Sequence, residues 1–158
     1  MKIRRVTIED IEPLFEIRTS VTENYQSREE IAALGITPKT VADMLQHGCA
    51  AWLAEQAGQG IGFAIANATE QTIFGIFIRP EFEGQGVGRA LMAEAEHWLW
   101  SQGAVEIWLL TGNDPNLRAY GFYQHLGWQN VGVVEAGDFA GEVKFIKRAP
   151  SKGETPSD

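Results

Sequence analysis

The chain has 158 residues, 44% of them hydrophobic and 22% charged, and its 13 Lys and Arg against 21 Asp and Glu leave a formal net charge of −8. That length and apolar share suit one folded domain and exclude disorder as the main state, while the acidic balance disfavours binding to nucleic acid. No apolar run reaches the about 20 residues of a membrane span, Met1–Arg5 lacks the apolar stretch of a secretory signal, and a single cysteine, Cys49, gives neither an internal disulfide nor a metal cluster, so the cytoplasm is the expected compartment.

In chain order, Ile3–Val6 reads as a first strand. Thr7-Ile8-Glu9-Asp10 has the form of a capping box, and the helix behind it puts Ile8, Ile11, Leu14, Phe15 and Arg18 on one face. After a polar stretch, Thr19–Ser27, a helix from Arg28 to Leu34 is stopped by Gly35. A third helix starts at Thr37-Pro38, with Pro38 in its first position, and runs to Gln46. Ala50–Glu55 and Ile61–Asn67 read as two hairpin strands around Gln56-Ala57-Gly58-Gln59. Thr72–Arg79 is apolar on both faces, which implies a central place in the sheet, and Pro80 ends it. Gly84, Gly86 and Gly88 lead into a helix with Val87, Leu91, Ala95, Trp98 and Leu99 at helical spacing, stopped by Gly103. Val105–Leu110 is a strand, Leu117–Leu126 a helix ended by Gly127, and Trp128–Glu135 and Glu142–Lys147 are the last strands. One domain over 1–148 is expected, with 149–158, rich in Pro, Ser, Gly and charge, as a disordered tail. The element order defines a mixed α/β chain.

The densest signal runs from Ile76 to Leu91. A strand ends at a proline, three glycines alternate, and an apolar helix follows at once. Glycines let the backbone approach a ligand closely, and the free N–H groups of the first helical turn, with the helix dipole, favour an anion. The P-loop pattern needs Gly-Lys-Ser/Thr, and Gly88-Arg89-Ala90 fails it. The dinucleotide fingerprint needs a small residue where Arg89 stands, and it fails too. Gln/Arg-x-x-Gly-x-Gly/Ala fits Glu83–Gly88 in both glycines, with Glu83 at its first position.

About thirty residues on comes a second segment, Asn116-Leu117-Arg118-Ala119-Tyr120-Gly121-Phe122-Tyr123-Gln124-His125-Leu126-Gly127-Trp128. Helical spacing from Asn116 puts Asn116, Ala119 and Tyr123 on one side. The same three residues also fit a helix cap, a small packing residue and a core aromatic.

Together the two segments resemble the GNAT superfamily, the acetyl-CoA-dependent N-acetyltransferases, over roughly residues 2 to 148. The resemblance implies a GNAT-like acyl-CoA N-acyltransferase fold: a mostly antiparallel, twisted sheet of six to seven strands with helices on both faces. It implies that backbone amides over Glu83, Gly84, Gln85, Gly86, Val87, Gly88 and Arg89 bind the pyrophosphate of coenzyme A. The backbone of Ile76, Phe77 and Ile78 would pair with the pantetheine arm, at an edge made by the splaying of the strands at 72–79 and 105–110. Asn116 would contact the arm from the other side. Tyr123 would protonate the leaving thiolate, and a backbone N–H near Phe77 or Ile78 would stabilise the oxyanion.

The implied reaction is direct attack of a primary amine on acetyl-CoA, with no metal. The general base is open among Glu23, Glu70, Glu106 and a water relay. Glu83 departs from the family's Gln or Arg and brings a carboxylate toward a pyrophosphate. Trp108 and Trp128 lie near the implied cleft. The acceptor side is implied at Thr19–Ser27 and Glu135–Gly141, where Glu23, Glu135 and Asp138 suit an amine. The partner is a small-molecule or peptide amine, without nucleic acid or membrane. Dimers are common in the family, though nothing in the sequence shows one. A protein or peptide N-acetyltransferase, a longer-chain acyltransferase and a non-enzymatic acyl-CoA-binding module are the alternative readings.

Overall fold

A computed structural model describes residues 1–23 and 25–150. The tail expected at 149–158 lies outside the described residues from 151 onward. Seven strands form one sheet: β1 Lys2–Arg5, β2 Cys49–Gln56, β3 Gln59–Asn67, β4 Thr72–Ile78, β5 Glu106–Thr111, β6 Gln129–Val133 and β7 Val143–Arg148. Five helices accompany it: α1 Ile11–Arg18, α2 Arg28–Ala33, α3 Pro38–Gln46, α4 Val87–Ser101 and α5 Arg118–His125. The spatial order is β1-β2-β3-β4-β5-β7-β6, and every neighbouring pair is antiparallel except β4 and β5.

Both faces of the central strands are buried, and alternation sorts their side chains. Trp52, Ala54, Ala64 and Ala66 pack with Leu91, Met92, Ala95 and Leu99 of α4. Leu53, Phe63 and Ile65 face the other way, onto Ile11, Leu14, Phe15 and Ile17 of α1, Ile31 of α2 and Val41 of α3. Helices therefore cover the sheet on both faces. Gly62 permits the closeness of α4: a Cβ there would sit 3.2 Å from a Leu91 methyl and 3.0 Å from Ile78. Among the described residues no helix is long and apolar enough to cross a membrane.

Two local expectations need correction. The β2–β3 turn is tighter than a four-residue loop. Ala57 and Gly58 alone make it, at φ +53° and +77°, the backbone that suits a two-residue hairpin. Ile8 does not join the apolar face of α1 and is 61% exposed. The chain first makes a 3-10 turn over Ile8–Asp10, and the α-helix starts only at Ile11. Asp10 holds this entry. Its carboxylate accepts the Thr7 N–H at 2.7 Å and both ends of the Arg4 guanidinium at 2.7 and 2.8 Å.

The decisive feature lies between β4 and β5. They pair at one position only, Thr72 opposite Trp108. There the Trp108 N–H bonds to the Gln71 carbonyl at 3.1 Å, and the Thr72 hydroxyl donates to the Trp108 carbonyl at 2.7 Å. Beyond it the strands part. The expectation that β4 is apolar and central holds for its place in the sheet but not for burial along its length. Thr72 and Ile73 are buried, Phe74 is 48% exposed, and Gly75–Ile78 are half-buried. A bulge adds to this, because β3 runs from Ile65 to Ala66 while β4 runs from Gly75 back to Ile73, leaving Phe74 without a partner.

Candidate active site

The open edge of β4 can be read from its ladder with β3. Arg79 lies one step past β4, and its N–H bonds to the Ile61 carbonyl at 2.8 Å. Antiparallel ladders alternate, so Phe77, opposite Phe63, also spends its backbone groups on β3. Ile76 and Ile78 then direct their N–H and C=O groups toward the side where β5 has parted. This narrows the edge expected over Ile76–Ile78: Phe77 contributes its side chain, not its backbone. The Phe77 ring lies across Gly75, where a Cβ would come within 2.8 Å of it, and packs on Phe63 at 5.5 Å between centroids. The Arg18 guanidinium stands 4.4 Å from the Phe77 centroid and donates to Gln26 Oε1 at 2.8 Å. Burial pushes the Arg18 pKa down.

The glycine loop follows a 3-10 turn at Pro80–Phe82. Gly84 and Gly86 adopt φ of +76° and +84°, a backbone that favours glycine, and space for a Cβ is open at both. Gly86 caps α4, and the first helical bond runs from the Ala90 N–H to the Gly86 carbonyl at 3.1 Å. The N–H groups of Val87, Gly88 and Arg89 precede that bond and have no helical acceptor. Gly88 differs from the other two glycines. It is already in the helix, and its missing Cβ lets the Phe122 ring of α5 approach, with 3.1 Å from that Cβ position to the ring. Val87 is buried and anchors the turn, and the side chains of Gln85 and Arg89 are exposed. Arg89 reaches His125 Nε2 at 3.2 Å.

Glu83, the departure from the family's Gln or Arg, is paired. Its carboxylate turns to Arg118 at the start of α5, with 3.1 Å between Oε2 and Nε. Arg118 also links to the stretch after α1, because its backbone N–H donates to Glu23 Oε2 at 3.0 Å. No spacing rule connects these three residues, so the sequence carries no sign of the bridge.

Asn116 does not start α5. The helix begins at Arg118 with Leu117 as its cap, and Asn116 sits in the preceding turn with its N–H on Asp114 Oδ1 at 2.9 Å. The Asp-Pro-Asn turn satisfies itself first and delays the helix. Ala119 and Tyr123 do share a face of α5 by their i, i+4 spacing. Tyr123 is 7% exposed, with ring centroids at 5.5 Å from Phe122, 5.8 Å from Phe145 and 6.3 Å from Trp128. Burial pushes its phenol well above the ordinary value, so it stays protonated at neutral pH.

The other polar expectations separate by position. Glu70 precedes β4 and Glu106 opens β5 in an ion pair with Arg148 at 3.2 Å, both at the closed end of the strand pair. Glu23 is engaged with the Arg118 N–H. Glu135 and Asp138 are exposed in the β6–β7 turn. Trp128 is buried away from solvent and donates to Glu96 Oε2 at 3.2 Å, so it is a core residue and walls no pocket. Trp108 is half-buried, donates to the Glu70 carbonyl at 2.9 Å, and carries the Lys144 ammonium 5.3 Å from its ring.

The structure thus brings together a split sheet edge, a helix start with free N–H groups and a buried phenol. The family model described as the acetyltransferase (GNAT) family matches residues 11–128, and the chain belongs to that family. It is 31% identical over 80 residues to the [ribosomal protein bS18]-alanine N-acetyltransferase of Escherichia coli K12, covering 49% of this chain and 53% of that protein. A match to an N-acetyltransferase of Chlorobaculum tepidum, 31% identical over 115 residues, covers 70% of this chain and 66% of that protein. The chain spans about half the length of the first curated relatives it matches. Among solved structures, the PaiA N-acetyltransferase of Thermoplasma acidophilum in complex with coenzyme A shares the fold, with a TM-score of 0.76, 20% identity, and 94% of this chain and 98% of that chain covered.

Proposed function

We propose that the protein transfers an acetyl group from acetyl-CoA to a primary amine. The observation that carries this reading is the parting of β4 from β5 along the strand that leads into the glycine loop. It leaves the Ile76 and Ile78 backbone open to an extended arm and the α4 amides open to a pyrophosphate. Asn116, exposed in the turn before α5, is free to contact the arm with its side chain. Glu83 is neutralised by Arg118, so the loop tolerates the anion.

Acetyl-CoA supplies the thioester. The chain supplies an N–H at Ile78 or Ile76 for the developing oxyanion and the Tyr123 hydroxyl for the leaving sulfur. Desolvation raises the Tyr123 pKa, but the same dry site raises that of the thiolate, so the proton transfer stays matched. The relation to an alanine N-acetyltransferase favours the α-amine of a peptide as acceptor over other amines.

The test is release of free coenzyme A thiol from acetyl-CoA in the presence of peptides with an N-terminal alanine. Wild type is expected to release thiol in proportion to peptide. Tyr123→Phe should lower kcat by about 10- to 100-fold and change acetyl-CoA affinity little, because the hydroxyl acts mainly in the transition state. Equal turnover in the variant would remove Tyr123 from the mechanism.

A further inference from the structure

The amine arrives as an ammonium ion, and something must take its proton. The acids around the mouth of the split are mostly engaged. Glu23 accepts the Arg118 N–H, Glu83 pairs with the Arg118 guanidinium, and Asp114 accepts the Asn116 N–H. Glu142 is different. Its carboxylate, like those of Glu135 and Asp138, has no hydrogen-bond or ion-pair partner among the described residues, but Glu142 is half-buried where those two are exposed.

Its place follows from register. Thr111 of β5 lies opposite Val143, so Glu142 is level with Gly112, four residues past the single β4–β5 contact at Trp108. The β6–β7 ladder extends to it, since the Val134 N–H bonds to the Glu142 carbonyl at 2.7 Å. Strand alternation therefore applies. Val143 and Phe145 are buried on the face where Phe145 meets Tyr123. Glu142 and Lys144 belong to the other face, where the Lys144 ammonium lies against Trp108.

Resting on the acetyl-transfer reading above, we propose that Glu142 is the general base, taking a proton from the acceptor ammonium on the face of the split sheet opposite Tyr123. This arrangement suits direct attack, with the nucleophile entering from one face and the sulfur leaving toward the other. The ammonium gives one proton to the Glu142 carboxylate. The freed nitrogen lone pair forms the N–C bond, and the carbonyl π electrons move to oxygen. Their return breaks the C–S bond, and the sulfur takes the Tyr123 proton. The second nitrogen proton leaves through solvent and restores the Tyr123 hydroxyl, while Glu142 returns its own to bulk. The net products are an amide, a free thiol and one proton.

Burial raises the Glu142 carboxyl above its ordinary value, which strengthens it as a base. The charged groups nearest to it along the chain and register are Lys144 on the same face of β7, Glu135 and Asp138 in the β6–β7 turn, and Asp114, two residues past Gly112.

The test has two arms, on wild type and Glu142→Gln, both first checked for folding by circular dichroism. In the first, the Glu142 carboxyl is titrated by carbon-13 NMR with and without acetyl-CoA. An upward move of its midpoint on acetyl-CoA binding is expected, since the bound thioester desolvates it further. Binding without any move places Glu142 away from the thioester and overturns the proposal. Failure of wild type to bind acetyl-CoA at all would instead sink the underlying acetyl-transfer reading. In the second arm, turnover is compared with n-butylamine, cationic at neutral pH, and methoxyamine, already neutral. Glu142→Gln should lower kcat for n-butylamine by about a hundredfold and change it for methoxyamine by less than about threefold. Equal effects on the two amines, or none, contradict a base at this position.

Discussion

Gly86 holds the turn into α4 at φ +84° with open space where a Cβ would stand, so no packing contact claims its front. Gly86→Trp is expected to abolish acetyl-CoA binding while the protein still folds, at a backbone strain of about 1 kcal/mol. Calorimetry checks it, and unchanged affinity would show that the loop does not hold the pyrophosphate. Gly88 looks the same in the sequence but serves another end, since Phe122 occupies the space beside it. The pattern of three alternating glycines is legible at once, and their division of labour is not, because Phe122 lies 34 positions away. Tyr123 shows the same limit. Its spacing from Ala119 is plain in the sequence, yet its enclosure by Phe145 and Trp128 depends on where β7 and the segment leading into β6 pack.

At the scale of elements, two polar clusters set how the pieces join. Asp10 turns the chain from β1 into α1. Arg4, first among its partners, holds its carboxyl down at about 2, against an ordinary 3.8. Such a lowered value adds stability that is complete above about pH 4 and is lost as pH falls toward 2. A shift of this size corresponds to about 2 kcal/mol, reduced to about 1–2 kcal/mol because Arg4 is partly exposed. Asp10→Asn should lose about that much at neutral pH and flatten the loss between pH 4 and 2, read from urea unfolding at each pH. The capping residues at 7 and 10 are visible in the sequence, but Arg4 as the clamp is not, nor is the 3-10 turn that sets Ile8 outside.

The second cluster ties α4 to β7. Glu96 is 6% exposed, pairs with Lys147 at 2.8 Å and accepts the Trp128 indole N–H at 3.2 Å, while Lys147 also donates to the Leu126 carbonyl at 3.0 Å. Glu96→Ala would leave a half-buried ammonium without its counter-charge and a buried indole donor without its acceptor, at a cost of about 3 kcal/mol. The added change Lys147→Met should recover part of that loss. Denaturant midpoints of the single and double variants decide it, and a double variant no better than the single would deny that the stranded charge is the cause.

At the scale of the whole molecule, the seven-stranded mixed sheet, its helices on both faces and its family are legible in the sequence. Hydrophobic period and glycine stops mark nearly every element, and two motifs sit at a telling distance. The split between β4 and β5 is not legible from periodicity, because it depends on which residues fail to pair. Thr72 and Trp108 meet, and the strands part after them. The link from Glu83 through Arg118 to Glu23 is equally silent, since it joins three segments that no local pattern connects. The central claim is that this parted edge and the glycine loop together hold acetyl-CoA. It is tested most directly by calorimetric titration with acetyl-CoA, desulfo-CoA and ATP. Saturable binding of acetyl-CoA and desulfo-CoA, with none of ATP, is the expected result. A folded protein that binds neither coenzyme A compound would contradict it.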